Sequence, residues 1–123
     1  MREGFFSIFY TGRAGTGLGL VALTKGSIVG VDAAGGFYDG DYESNDDNSV
    51  LIGMLRLTVP PGVVLVTGNQ PQSQSFTLNI PLQLPADFAT SQKPLMVQTS
   101  TGPVNLILKK IRDLTPDERD SNE

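Results

Sequence analysis

An all-β protein, folded as an eight-stranded antiparallel barrel, is what this sequence predicts, and three observations predict it. Apolar residues recur with a period of two along nearly the whole chain, the spacing of strands with one buried face. The apolar stretches are short, eight or nine of them, and the connections between them contain Gly or Pro. Helical signals are confined to 84–90 and 115–120, too little for helices to cover a parallel sheet. Many short strands joined by tight turns bury their apolar faces by closing into a barrel or stacking as a sandwich, and the barrel is the expected form.

The elements follow in order. GFFSIFYT (4–11) sets Phe6, Ile8 and Tyr10 on one face. GLGLVALT (17–24) leads into Lys25-Gly26, a tight-turn signal, and then into SIVGV (27–31). GFYDGDYE (36–43) is the next strand. SVLIGMLRLTV (49–59) places Leu51, Leu55, Leu57 and Val59 on one face and Arg56 and Thr58 on the other. Pro60-Pro61-Gly62 ends it, because proline cannot donate to a central ladder. VVLVT (63–67) reads equally as a strand or an ordered loop. SFTLNI (75–80) alternates strictly, with Phe76, Leu78 and Ile80 inward. LMVQT (95–99) and VNLILKK (104–110) form a last hairpin around Thr101-Gly102, with Leu106 and Leu108 inward. LPADFAT (84–90) suits one short helical turn. Thr115, Pro116 and Glu118 fit a helix start, but no apolar stripe follows. Residues 1–114 are therefore expected to form a single β-barrel domain, and 115–123 a flexible, frayed acidic tail.

Composition narrows the chemistry. The 123 residues include no Cys, His or Trp. Disulfide scaffolds, zinc fingers and any mechanism that needs an imidazole are excluded. With nine basic and thirteen acidic residues the net charge is −4, and the basic residues are scattered, so direct nucleic-acid binding is not expected. No apolar run reaches bilayer length and no signal-peptide cleavage site is present, which points to a soluble, cytoplasmic protein.

Two motifs invite a functional reading. GRAGTGLGL (12–20) holds four glycines, but Gly15, Gly17 and Gly19 give G-x-G-x-G and a strand pattern follows. A dinucleotide fingerprint needs G-x-G-x-x-G before a helix, and a P-loop needs Gly-Lys-Ser/Thr. The glycines are read as turning the chain, with Gly19 easing strand curvature. The other motif is YDGDYESNDDN (38–48). Between Lys25 and Arg56 no basic residue occurs, while Asp32, Asp39, Asp41, Glu43, Asp46 and Asp47 all do. Neither Asp39 nor Asp41 as first ligand gives a calcium-loop register. Asp46 and Asp47 are adjacent on a predicted loop tip, where nothing raises a carboxyl pKa for acid–base work. No catalytic residue, metal or cofactor is expected, and Tyr38 and Tyr42 are read as buried rings with exposed hydroxyls.

The run from 4 to 43, with its aromatic first strand, glycine-rich second strand, KGSIVGVD (25–32) and Tyr38-x-Gly40, resembles the GrlR-like family, small negative regulators of type III secretion gene expression. The resemblance implies a lipocalin-like eight-stranded barrel, a homodimer, and sequestration of a helix-turn-helix activator through an acidic Glu-Asp-Glu-Asp loop. The matching place here is Ser44-Asn45-Asp46-Asp47, where Ser44 and Asn45 replace the first two acids. The expected function is thus non-enzymatic negative regulation of transcription by protein–protein interaction. Asp46 and Asp47, with Glu43, Asp41 and Asn45 beside them, would meet a partner's basic surface. The alternative is a carrier of a small apolar ligand, since an eight-stranded barrel can be filled by side chains or hold one ligand.

Overall fold

A computed structural model describes residues 3–91 and 93–115. Its eight strands are β1 (Gly4–Gly12), β2 (Gly15–Thr24), β3 (Ser27–Asp32), β4 (Phe37–Ser44), β5 (Val50–Val59), β6 (Phe76–Pro85), β7 (Leu95–Thr99) and β8 (Gly102–Arg112). One short helix, α1 (Phe88–Ser91), lies between β6 and β7. All pairings are antiparallel, in the order β6-β5-β4-β3-β2-β1-β8-β7. Each strand therefore neighbours the next in sequence, β8 returns to β1, and β6 lies beside β7 without a ladder, so the barrel is nearly closed. β6 is thus an edge strand with one unladdered side, where Pro81, which has no N–H to donate, is tolerated.

The local rules act where the sequence places them. Lys25 and Gly26 both take positive φ (49° and 82°), the type I′ geometry that matches the twist of a two-residue hairpin. The last hairpin turns at Ser100-Thr101, with Thr99 paired to Gly102, one residue earlier than the Thr101-Gly102 expectation. VVLVT is a loop, within the long connection from β5 to β6. The stretch expected to turn helically at 84–90 continues as strand to Pro85, and the helix starts at Phe88. Residues 116–123 of the expected tail lie outside the described residues.

Alternation sorts the barrel's two faces. Phe76, Leu78, Ile80, Leu106 and Leu108 are buried or half-buried, as is the Leu51, Leu55, Leu57 and Val59 row of β5. The core cluster gathers at one end: Phe6, Ile8, Leu23, Leu51, Leu84 and Leu108 surround Phe88, which is 1% exposed and whose ring stands 5.7 Å from that of Phe6. α1 thus plugs this end of the barrel. Not all the aromatics are core, however. Phe9 and Phe37 point outward and are about half exposed, at 48% and 57%. Phe9 pairs with Leu18, Leu20 with Val31, and Val31 with Phe37, so an apolar row crosses the outside of β1–β4. Among the described residues, no helix is long and apolar enough to cross a membrane.

Candidate functional site

The turns β1–β2, β3–β4 and β7–β8 and the long 60–75 connection all lie at the end opposite α1, because strand direction alternates around the barrel. The 60–75 connection folds back across that end. Ala14 N donates to Val66 O (2.7 Å), Arg13 Nε to Thr67 O (2.8 Å), and Thr67 Oγ1 to Thr101 Oγ1 (2.8 Å). Thr67 is buried as a result. The VVLVT segment, apolar enough to read as a strand, is thus a strap whose Val63, Leu65 and Val66 face into the barrel.

Between the strap and the Phe88 plug the side chains leave a cavity of about 410 Å³. Its walls are the inward rows of the strands, among them Val21, Leu57, Leu78, Val104 and Leu106. Its polar groups sit towards the strap: Thr67, Thr99 and Thr101, and a cluster made by Tyr10, Asp32 and Tyr38. Asp32 is the one charged side chain on the wall among the described residues, and it is only 8% exposed.

Three strands build that cluster. Ile28, Gly30 and Asp32 share the inward face of β3, so Asp32, as its last residue, points into the barrel. Tyr10 Oη and Tyr38 Oη (2.5 Å) both donate to Asp32 Oδ2, and Ala34 N donates to Oδ1 (2.9 Å). Burial first, and then the bond to Asp32, pushes both phenols well above the ordinary tyrosine pKa of 10. The Tyr38 hydroxyl is therefore not exposed at a strand end, as the sequence suggested, but buried against a carboxylate. Tyr42 is only half-buried.

The glycine-rich segment has its explanation here. Its turn is Arg13-Ala14; Gly17 and Gly19 lie within β2. A Cβ on Gly17 would come within 2.2 Å of Tyr10 Cζ, and one on Gly19 within 2.9 Å of Tyr38 Cε2. The two glycines are the flat floor on which the two tyrosine rings lie: Gly17 stands opposite Tyr10 on the neighbouring strand, and Gly19 receives the ring of Tyr38 from across β3. They do more than turn the chain and ease its curvature.

The residues singled out from sequence lie elsewhere. Asp41 and Glu43, with Asp39, are exposed on the outer face of β4. Asn45, Asp46 and Asp47 form the β4–β5 tip at the α1 end, across the barrel from the tyrosines. The tip is internally braced. Asn45 Oδ1 accepts from Ser49 N (2.9 Å) and Val50 N (3.0 Å), and Asp47 Oδ1 accepts from Ser49 Oγ (2.6 Å) and Ser49 N (3.1 Å). The Ser49 bonds hold the Asp47 carboxyl below its usual range. Asp46 is exposed. Sequence reasoning did not single out Tyr10 or Asp32 as site residues. Among the described residues no three metal-ligating side chains come together.

Compared by sequence with known proteins, the chain matches no family model and no curated protein. The likeness to GrlR-like regulators accordingly rests on the motifs quoted above.

Proposed function

We propose that this protein binds a small, largely apolar molecule inside its barrel. The observation that carries the reading is the cavity itself. Protein interiors are packed to crystal density, with few voids larger than a water molecule. The volume falls within the roughly 300–1,000 Å³ typical of small-molecule sites, and apolar walls with a few convergent polar groups are their usual lining. A fluorescent apolar reporter titrated into the intact protein tests this. One equivalent should bind per chain, and Leu57→Trp combined with Leu106→Trp, which sets two larger rings on the chamber wall, should weaken binding while the protein still melts cooperatively. Failure of the wild type to bind, or indifference of a folded double variant, would refute the reading.

A second reading keeps the regulatory role that the resemblance implies, and a specific observation supports it. Asp39, Asp41 and Glu43 alternate onto the outside of β4 and run towards exposed Asp46 and Asp47, forming an acidic stripe. Such a stripe would speed encounter with a basic surface, such as that of a helix-turn-helix activator, more than it would tighten the final complex. Ligand occupancy and partner binding would then be two properties of one negative regulator. Association rate against ionic strength, measured for wild type and Asp46→Asn/Asp47→Asn with a partner captured from the native cell, tests it. Coincident salt slopes would remove the acidic tip from any partner contact.

A further inference from the structure

We propose that the molecule bound in the barrel carries a cationic head, an ammonium on an apolar body, and that this head docks at Asp32; the inference rests on the cavity-binding reading above. The chamber holds one formal charge, the Asp32 carboxylate, and no Lys or Arg lines it among the described residues. A charge enclosed by apolar walls without a counter-ion is costly, even when it is hydrogen-bonded. Tyr10, Tyr38 and the Ala34 N–H hydrate the carboxylate in place of water but do not neutralise it. Two carboxylate oxygens accept about four hydrogen bonds, and three are taken. Each phenol, having given its proton to Asp32, keeps lone pairs to offer. An ammonium brings three donors and no acceptor. It is therefore matched to this cluster in charge and in donor count, whereas a carboxylate head would face like charge and an all-acceptor group.

The gradient along the barrel supports the same orientation. The head site lies at the strap end, the end that also holds Thr67, Thr99 and Thr101, and the far end is closed by Phe6 and Phe88. An apolar tail would run from Asp32 towards the phenylalanine plug. The cavity volume equals that of roughly 14 liquid waters, which suits a chain of about ten carbons.

Decylamine, decanol and decanoate, equal in length and different in head, decide the matter when titrated calorimetrically into the intact protein below their micelle concentrations. High salt screens attraction to the outer acidic stripe. Decylamine should bind once per chain and about tenfold or more tighter than decanol, and decanoate weakest. In Asp32→Asn the amine should lose that advantage, and in Tyr10→Phe, which keeps the carboxylate, it should retain it. If Asp32→Asn fails to fold, the wild-type ranking still decides. Equal affinities for the three heads, or a preference for decanoate, would overturn the cationic head and leave the cavity reading standing. Binding of none of the three, together with no binding of an apolar reporter, would overturn both.

Discussion

Adding one methyl group to β2 should have opposite effects at two positions only two residues apart. At Gly15 an ideal Cβ meets nothing within 4 Å, and the backbone φ is not positive. Gly15→Ala should therefore stabilise the fold by about 0.4–1 kcal/mol, because it narrows the unfolded ensemble. At Gly17 the same methyl would lie 2.2 Å from Cζ and 2.4 Å from Oη of Tyr10. The ring can swing away, but only by giving up its hydrogen bond to Asp32. Loss of a bond to a charged group costs about 1.5–3 kcal/mol, against the same entropic gain of up to about 1 kcal/mol. Gly17→Ala should thus be net destabilising by about 0.5–2.5 kcal/mol. In a domain of this size the melting temperature should fall by about 2–10 °C, while Gly15→Ala raises it by about 2–4 °C. Thermal and urea unfolding followed by far-UV circular dichroism measures both. The cost should vanish when Gly17→Ala is made on a Tyr10→Ala background, since no ring is left to displace. Equal shifts for the two alanine variants, or a Gly17→Ala cost that survives removal of the ring, would refute the account of the glycines as the floor beneath the tyrosines.

Four more expectations can be checked on the same protein. Phe88→Ala should cost about 3–5 kcal/mol and more than about 10 °C in melting temperature, because Phe88 closes the core end against Phe6 and opens onto the cavity; a change under about 1 kcal/mol by urea unfolding would contradict that. The Tyr10 and Tyr38 phenols have folded pKa values above their unfolded value of 10, so the stability they contribute is fully present below pH 10 and is lost as pH rises beyond it. Melting against pH should fall steeply above pH 10 in the wild type and less steeply in Tyr38→Phe. Asp47→Asn should loosen the β4–β5 tip, seen as faster amide exchange at Ser49, whereas Asp46→Asn should not, because of the two aspartates it is Asp47 whose carboxylate accepts from Ser49. If the outer row of Phe9, Leu18, Leu20, Val31 and Phe37 is where two copies meet as a homodimer, light scattering should give twice the chain mass, and Leu20→Lys should halve it.

Strands were legible because each is specified locally. A period of two with turn residues at its ends is a complete instruction for β5, and Lys25-Gly26 for the hairpin before β3. Closure was also legible, since many short strands in one chain have few other ways to bury one face. VVLVT was not, because an apolar segment that straps a cavity has the composition of a strand that crosses one. The outward face of Phe9 and Phe37 was not legible for a related reason: alternation tells which residues share a face, and composition alone does not tell which face is inside. The Tyr10–Asp32–Tyr38 cluster was hidden more deeply, because its members come from three strands and meet only through the register of the sheet. One signal was available. Asp32 has the parity of Ile28, an apolar inward position, and an acid on the buried face of a strand requires partners.

Position along the barrel then separates two kinds of acidic residue that composition had merged into one segment. Asp39, Asp41, Glu43, Asp46 and Asp47 stand in water, where solvent and salt weaken what each can do alone. Asp32 stands in an apolar chamber, where every interaction with it is stronger and an unmatched one is expensive. Evolution of a merely stable barrel would favour a valine or leucine at this position, since replacing buried charge by well-packed apolar groups is often neutral or stabilising. Asp32 is instead held by two tyrosines, which themselves need two glycines of β2 beneath them to lie flat. Four residues given over to holding one carboxylate at the wall of an apolar cavity are hard to account for by stability. They are accounted for if the carboxylate meets something that enters.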